Sequence, residues 1–401
     1  MQNGESTNPR PAELPAHLYL TGLPPATSSL MQHLLDRIRT EGALTFPEFM
    51  ATALYDPERG YYARSTQQVG RAGDFATSVS VGPLFGELLA RRFLAWWQSA
   101  GAPACWRILE CGAHDGTLAA DVLRALERLA PSALEALEYV ISEPLPRLRA
   151  AQGTTLQRWH RRVDLRADIR GLEPLPGIVF GNELLDALPF HIVEWRGDRW
   201  QERRVTADDR GEFQWENHEI GEGPLVDALD PLGREFPVGY VAEIRADLRK
   251  VLEPLVATLA EGILVWIDYG FARPELYHPD RSAGTLRTFS KHRAGENPLS
   301  APGEQDITAH VDFSAVAEAC AELGYPPVLF RSQGRWLTEI AAAGWLTERE
   351  GTPDPAVTRQ FQSLVHPGKM GARFHVLECA SRDPHHPLRD EDAHRLAWAA
   401  P

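Results

Sequence analysis

Lysine is almost missing from this chain. It occurs only at Lys250, Lys291 and Lys369, so nearly every cation is an arginine, which reads as composition bias and carries no mechanism. Positive charge as a whole is also short, with 41 Lys and Arg against 55 Asp and Glu and a formal net charge of -14. A surface of that sign excludes general nucleic-acid binding, which needs cations to neutralise phosphate, although a local basic groove stays open. Cysteine is scarce: Cys105, Cys111, Cys320 and Cys379 are scattered, with no CxxC pair and no histidine at metal spacing. That excludes a disulfide framework and a zinc site, and it fits a reducing cytoplasm with no bound metal. No apolar run approaches the roughly 20 residues of a membrane span, and the first residues lack the charged-then-apolar pattern of a signal peptide. The expectation is a soluble, cytoplasmic, membrane-free protein.

What the chain does have is apolar content, 43% over 401 residues, ample for one large core or two. The rest of the sequence is organised around Arg107 to Leu123. There an apolar run ends in Glu110, a loop bounded by Gly112 and Gly116 follows, and Leu118, Val122, Leu123 and Leu126 then recur at helical spacing. Thr117 is the expected N-cap of that helix. Strand, tight glycine loop and helix is how doubly wound sheets bring bare backbone up to nucleotide-like ligands. Roughly one βαβ unit later, Tyr139-Val140-Ile141-Ser142 ends in Glu143, the position of an acid that accepts hydrogen bonds from ribose hydroxyls. The first loop is not GxGxxG, and no run of glycines is present to cradle phosphates. S-adenosylmethionine therefore fits better than a dinucleotide.

Residues 1–25 read as a flexible lead-in, and 26–100 as a helical arm or lid, with helices over Ser28 to Thr40, from Thr45 onward, and through Phe85, Leu88, Leu89 and Phe93. In the loop before the third helix, Asp74, Thr77 and Ser78 serve either as capping groups or as site residues, Asp74 pointing in from a lid. The core spans 101–382. Within it, Gly177 to Phe180 is a short buried strand opening into Asn182, Glu183 and Asp186, where polar groups face the reacting centre. Short alternating pieces over about 190–240 read as antiparallel hairpins, an amphipathic helix is expected from about Ala242 to Leu259, and Gly262 to Gly270 is the strongest buried-strand signal. Asp268 ends that strand in another acid. His310 and Asp312 are a candidate acid-base pair, with a structural histidine the commoner reading. Residues 383–401 form a polar tail.

Together the stretches GDFATS at 73–78, FGELLA at 85–90, ILECGAHDGTLAADVLRAL at 108–126, ISEPLPRLRAAQ at 141–152, GNELLDALPF at 181–190, WIDYGF at 266–271 and PGEQDITAHVDF at 302–313 resemble one family. It is the MidA-like S-adenosylmethionine-dependent methyltransferases, whose mitochondrial members assist respiratory complex I assembly as protein arginine methyltransferases. The resemblance implies an α/β fold of the class I methyltransferase, Rossmann-like kind, a mainly parallel sheet with an N-terminal helical arm and a β-hairpin insertion. It also implies that Glu110, Gly112 and Gly116 line the cofactor loop and that Glu143 holds the ribose, while Asp74, Asn182, Glu183 and Asp186 border the acceptor. Thr77, Ser78, His114 and Asn182 complete the candidate cofactor set. The family usually has GPGRG in the first loop; here His114 stands at the middle glycine. Histidine tolerates the left-handed region better than most residues, but its ring takes up space. The reading is a methyl transfer from S-adenosylmethionine to a cationic nitrogen, a protein arginine by preference. A small-molecule methyltransferase and a non-catalytic assembly factor stand as alternatives.

Overall fold

The computed structural model describes residues 29–64, 77–233, 235–290, 293–346, 348, 354–381 and 395–396. The whole lead-in, most of the tail, and Gly73-Asp74-Phe75-Ala76 lie outside the described residues. Helix α1 (Leu30–Glu41) is capped by Ser29, whose hydroxyl accepts the Gln32 N–H, and buries Leu30, Leu34, Leu35 and Ile38. A two-residue strand β1 (Leu44–Thr45) leads into α2 (Phe46–Tyr55), where Pro47 suits the first turn and the Glu48 carboxylate accepts the Thr45 N–H at 2.9 Å. Short helices α3 (Tyr61–Arg64) and α4 (Ser78–Val81) precede α5 (Leu84–Ser99).

The α/β alternation follows: β2 (Trp106–Cys111), α6 (Thr117–Leu129), α7 (Pro131–Glu135), β3 (Leu137–Ser142), α8 (Pro146–Thr155), β4 (Val163–Arg166) and β5 (Leu175–Asn182). The chain then builds β6 (His191–Trp195), β7 (Trp200–Ala207), β8 (Phe213–Glu219), α9 (Pro224–Leu229) and β9 (Val241–Ile244) before α10 (Leu248–Val256) returns it to β10 (Leu259–Phe271). After α11 (Arg273–Leu276) come β11 (Arg287–Ser290), β12 (Arg293–Gly295), β13 (Asp306–Thr308), β14 (Val311–Asp312), α12 (Phe313–Glu322), β15 (Pro327–Ser332), α13 (Gln333–Ile340), α14 (Pro355–Val365) and β16 (Phe374–Ala380).

An eight-stranded sheet runs in the order β15-β16-β10-β5-β2-β3-β4, with β14 also on β10. Strands β10, β5, β2, β3 and β4 are parallel; β16 runs antiparallel to β10 and to β15 on its other side, so β15 points the same way as the parallel set. The central parallel strands β2, β5 and β10 are largely apolar runs because both faces are covered, whereas the edge strand β4 is half-buried. Side chains alternate between two cores: Ile108, Ile178 and Val265 face α5 and α6, while Leu109, Val179 and Leu264 face α10 and α12. This is the class I methyltransferase-like sheet the family resemblance implies. A second, antiparallel sheet, β1-β7-β6-β9 with β8 on β7, is built from the hairpins after Pro189. Phe46 and Phe49 of α2 join Phe190, Ile192 and Val205 beneath it, so the N-terminal arm packs on the insertion. Strands β11, β12 and β13 form a small third sheet.

Two local expectations are corrected. Residues Val241–Ile244 are a strand, and the helix is shorter, Leu248–Val256. The helical spacing of apolar residues there is real from Leu248 on, but the edge of β6 offers His191 to Glu194 as ladder partners, and the strand takes them. Thr117 is the first helical residue and does not cap: Gly116 stands at the N-cap in a left-handed turn, and the Thr117 N–H bonds to Asp115 Oδ1 at 3.0 Å.

Candidate functional site

The register brings four strand ends to one edge of the sheet. Cys111 lies opposite both Ser142 and Gly181, and Asn182 lies opposite Ile267. The loop after β2, Glu143 after β3, Glu183 after β5 and Asp268 near the end of β10 therefore converge on a single cleft, as the right-handed crossovers of a parallel sheet require.

The loop after β2 makes three left-handed turns, with φ of +74° at Gly112, +47° at His114 and +82° at Gly116. At Gly112 a Cβ would also stand 3.1 Å from Leu184 Cδ1, a tight contact on top of the strain of the positive φ. Its backbone is left bare. His114 adopts the left-handed turn despite its side chain. Its Nδ1 lies 3.8 Å from Asp115 Oδ1. Burial would raise the Asp115 carboxyl, but the His114 ring and the Thr117 hydroxyl and N–H overcome it and hold the group at about 2. Glu110 is buried, with Oε2 accepting the Tyr139 hydroxyl at 2.6 Å, and burial pushes it up to about 7.

Glu143, 4% exposed at the tip of β3, accepts the Leu145 N–H at 2.9 Å on Oε1 and faces the Gln152 amide at 3.4 Å on Oε2. Burial raises it to about 7 against those two donors. Gln152 escaped the sequence reading, although it closes the stretch 141–152. It is fully buried on α8, and its Nε2 also donates to the His114 carbonyl at 2.9 Å.

Past β5 the acids crowd. Asn182 Nδ2 donates to Glu183 Oε1 at 3.1 Å, and Glu183 sits in a left-handed turn with φ of +53°. Asp268 Oδ2 gathers three successive N–H groups, from Leu184, Leu185 and Asp186 at 3.1, 2.8 and 3.2 Å, while Oδ1 accepts the Tyr269 N–H. Those bonds fix the turn that presents Glu183 and Asp186. Burial raises Glu183 to about 8, helped by the Asp268 and Asp306 charges, and raises Asp186 well above the carboxylate range, helped by Asp268, Glu183 and Asp306. Asp268, better supplied with donors, is raised less, to about 6.

One cation stands among these acids. Arg245, reached from β9, gives its hydrogen bonds to carbonyls, those of Asp186, Ala309 and His310, and stacks over Phe190. From the arm, Tyr55 donates its hydroxyl to the Ala187 carbonyl and Tyr62 donates to Asp306 Oδ1, both at 2.8 Å. None of Arg245, Asp268, Asp306 or the two tyrosines was singled out as a site residue. The strand-end acid pattern was a usable signal for Asp268, and Asp306 lies within the family-like stretch 302–313; Arg245 and the two tyrosines carried none.

Asp74 lies outside the described residues. Thr77 caps α4 through its hydroxyl. The Ser78 N–H bonds to the Glu183 carboxylate and its hydroxyl to Gln333 Oε1, so this segment does reach the cleft. Asp312 is committed elsewhere: it caps α12 and pairs with Arg273 at 3.0 Å. His310 is held down to about 4 by burial and nearby arginines, first Arg281.

The described residues fit a nucleoside-bearing cofactor at this edge. Bare backbone at Gly112 and Gly116, a carboxylate at the tip of β3, and two buried oxygens with no partner, Asn182 Oδ1 and Gln152 Oε1, all face the loops in question. Such a sheet with such a cleft defines a Rossmann-like protein of the methyltransferase type. The comparisons agree. The family described as "Putative S-adenosyl-L-methionine-dependent methyltransferase" matches residues 88–328, and the chain belongs to it. A Burkholderia thailandensis protein solved bound to S-adenosyl-homocysteine is 33% identical, with a TM-score of 0.79 over 90% of this chain and 93% of that one. The protein arginine methyltransferase NDUFAF7 homolog, mitochondrial, of Drosophila melanogaster is 28% identical over 87% of this chain and 84% of its own length. Its Homo sapiens counterpart is 26% identical over 87% and 82%. The protein is an S-adenosyl-L-methionine-dependent methyltransferase.

Proposed function

We propose that the enzyme methylates a guanidinium group, an arginine side chain of a partner protein. The observation that carries this is the acidic cluster: Asp268 and Asp306 raise Glu183, and those three raise Asp186, while the hydrogen bonds of Arg245 go to backbone carbonyls. Buried like charges are costly unless a counter-charge arrives, and a cationic substrate would bring one. A planar guanidinium matches a pair of carboxylates with parallel hydrogen bonds better than a compact ammonium does. The relatives' names, which describe protein arginine methyltransferases, support the same acceptor.

When bound, S-adenosylmethionine supplies a methyl group on a positively charged sulfur. Glu143 accepts hydrogen bonds from the ribose hydroxyls, and the bare backbone at Gly112 and Gly116 allows close approach beside them. Glu183 and Asp186 orient the acceptor so that one nitrogen faces the methyl carbon in line, and near-attack geometry supplies most of the rate. As the N–C bond formed, the methyl–sulfur bond would break and neutral S-adenosylhomocysteine would leave; the nitrogen would give up one proton, for which an ionised Glu183 or Asp186 is the acceptor at hand. Ser78 reaches the cleft through Glu183, and Thr77 stands beside it.

The test is product analysis after incubation with methyl-labelled cofactor and three acceptors: an arginine-rich peptide, its lysine counterpart, and a panel of small amines. Methylarginine confined to the first supports the reading. Labelled small amines with an unlabelled arginine peptide would make the enzyme a small-molecule methyltransferase.

A further inference from the structure

The loop after β2 and the acid after β3 are separate in sequence, yet one side chain touches both. Gln152 sits on α8, fully buried, with Nε2 2.9 Å from the His114 carbonyl and 3.4 Å from Glu143 Oε2. The amide has a single workable orientation. Turned over, it would set its oxygen against two oxygens. In the observed orientation Oε1 is buried and has no partner. An amide with one end unmet is a poor choice for packing alone, since an apolar side chain of the same size would carry no orphan oxygen of its own; what it would lose is the donor to the His114 carbonyl and Glu143. The position therefore reads as held for what Nε2 does. Backbone geometry points the same way: His114 occupies a left-handed turn that glycine takes freely, and its carbonyl is the atom Gln152 grips.

We propose that Gln152 is a positioning residue for the cofactor, its amide tying the left-handed His114 turn to the Glu143 carboxylate so that both loops present one preset surface to the ribose. The proposal rests on the reading of Glu143 as the ribose acid. Gln152 itself is not required to touch the ligand. By donating to Glu143 it favours the ionised carboxylate, which alone can accept from two hydroxyls. The other titratable and charged groups facing Glu143 are Arg149 on the same helix, His114 from the loop and Tyr55 from the arm. Glu143 is raised to about 7, first by burial, so cofactor affinity should climb with pH through that value.

The experiment is calorimetric titration of S-adenosylhomocysteine into the full chain and its variants from pH 6 to 9, with ligand-free melting as the fold control. Gln152→Met should raise Kd about tenfold at pH 7.5, the size of one hydrogen bond to a charged group. It should also move the midpoint of the affinity-pH curve upward and leave the ligand-free melting temperature within a few degrees. Gln152→Glu sets a carboxylate against Glu143 and the His114 carbonyl. It should bind about a hundredfold more weakly at pH 8.5 and recover part of that loss at pH 6, where one of the pair is protonated. If the methionine variant does not fold, the pH-dependent recovery of the glutamate variant decides alone. Wild-type affinity with an unmoved midpoint in Gln152→Met, or a pH-independent loss in Gln152→Glu, overturns the proposal. Glu143→Gln is run in parallel: if it binds as wild type does, the ribose reading fails; if it binds weakly while both Gln152 variants bind normally, only the positioning role fails.

Discussion

Glu143 and Glu183 each follow a buried parallel strand at the same edge of the sheet, and burial raises both, yet their surroundings differ in kind. Glu143 is met by donors, the Leu145 N–H and the Gln152 amide, with Arg149 nearby. Glu183 also has donors, Asn182 and the Ser78 N–H, but it shares its space with Asp268, Asp306 and Asp186. On the proposed reading, the cofactor end is an acid prepared for neutral hydroxyls, and the acceptor end is a group of acids short of a cation. The same residue type at equivalent strand ends does two jobs because the neighbours, drawn from different parts of the chain, set its charge.

The most disruptive way to break the acceptor end is to remove its anchor. Asp268→Ala leaves the N–H groups of Leu184, Leu185, Asp186 and Tyr269 without their acceptor and should cost about 3–4 kcal/mol, part of the loss being offset by relief of like-charge repulsion. Denaturant melts test this, and a loss below about 1 kcal/mol would mean the turn holds itself.

A swap between the two ends sharpens the comparison more selectively. Glu183→Gln should lower methyl transfer to an arginine peptide roughly a hundredfold while leaving S-adenosylhomocysteine affinity within a factor of about two. Glu143→Gln should do the reverse, weakening cofactor by about 1.5–3 kcal/mol. Equal effects of both variants on both ligands would erase the distinction.

pH supplies a gentler probe. Glu183 at about 8, Glu110 and Glu143 at about 7 and Asp268 at about 6 all lie above the ordinary unfolded carboxylate. Between the unfolded values and these, the folded state binds more protons than the unfolded one, so stability falls as pH rises. The ligand-free melting temperature should drop from pH 6 to pH 8.5, and Glu183→Gln should flatten the upper part of that fall. A melting temperature that rises across this window would contradict the crowded-acid description.

The smallest effect is expected at His114. Glycine there relieves a left-handed residue but frees the unfolded chain, and the two terms nearly cancel, within about 1 kcal/mol. Cofactor affinity should change no more than about threefold, because the Gln152 bond goes to a backbone carbonyl that glycine retains. Calorimetry on His114→Gly checks both figures.

The sequence by itself determined the parts whose cause is local. Continuous apolar runs dictate the buried strands at Trp106–Cys111, Leu175–Asn182 and Leu259–Phe271, and glycines at 112 and 116 mark the turns that need positive φ. Their place at strand ends pointed to Glu143 and Glu183 as site residues, and the family resemblance implied the same roles. Local reading faltered where a distant partner competes: Val241–Ile244 has a helical pattern leading into α10 but is captured by the edge of β6. Only the tertiary structure decided which groups share the cleft. Asp268 holds N–H groups 82 to 84 residues away, Gln152 reaches back 38 residues to His114, and Tyr62 finds Asp306 across 244. A hydrogen bond or a shifted carboxylate depends on which groups stand within a few ångströms, and a parallel sheet with long crossovers gathers those groups from positions that no spacing along the chain can relate.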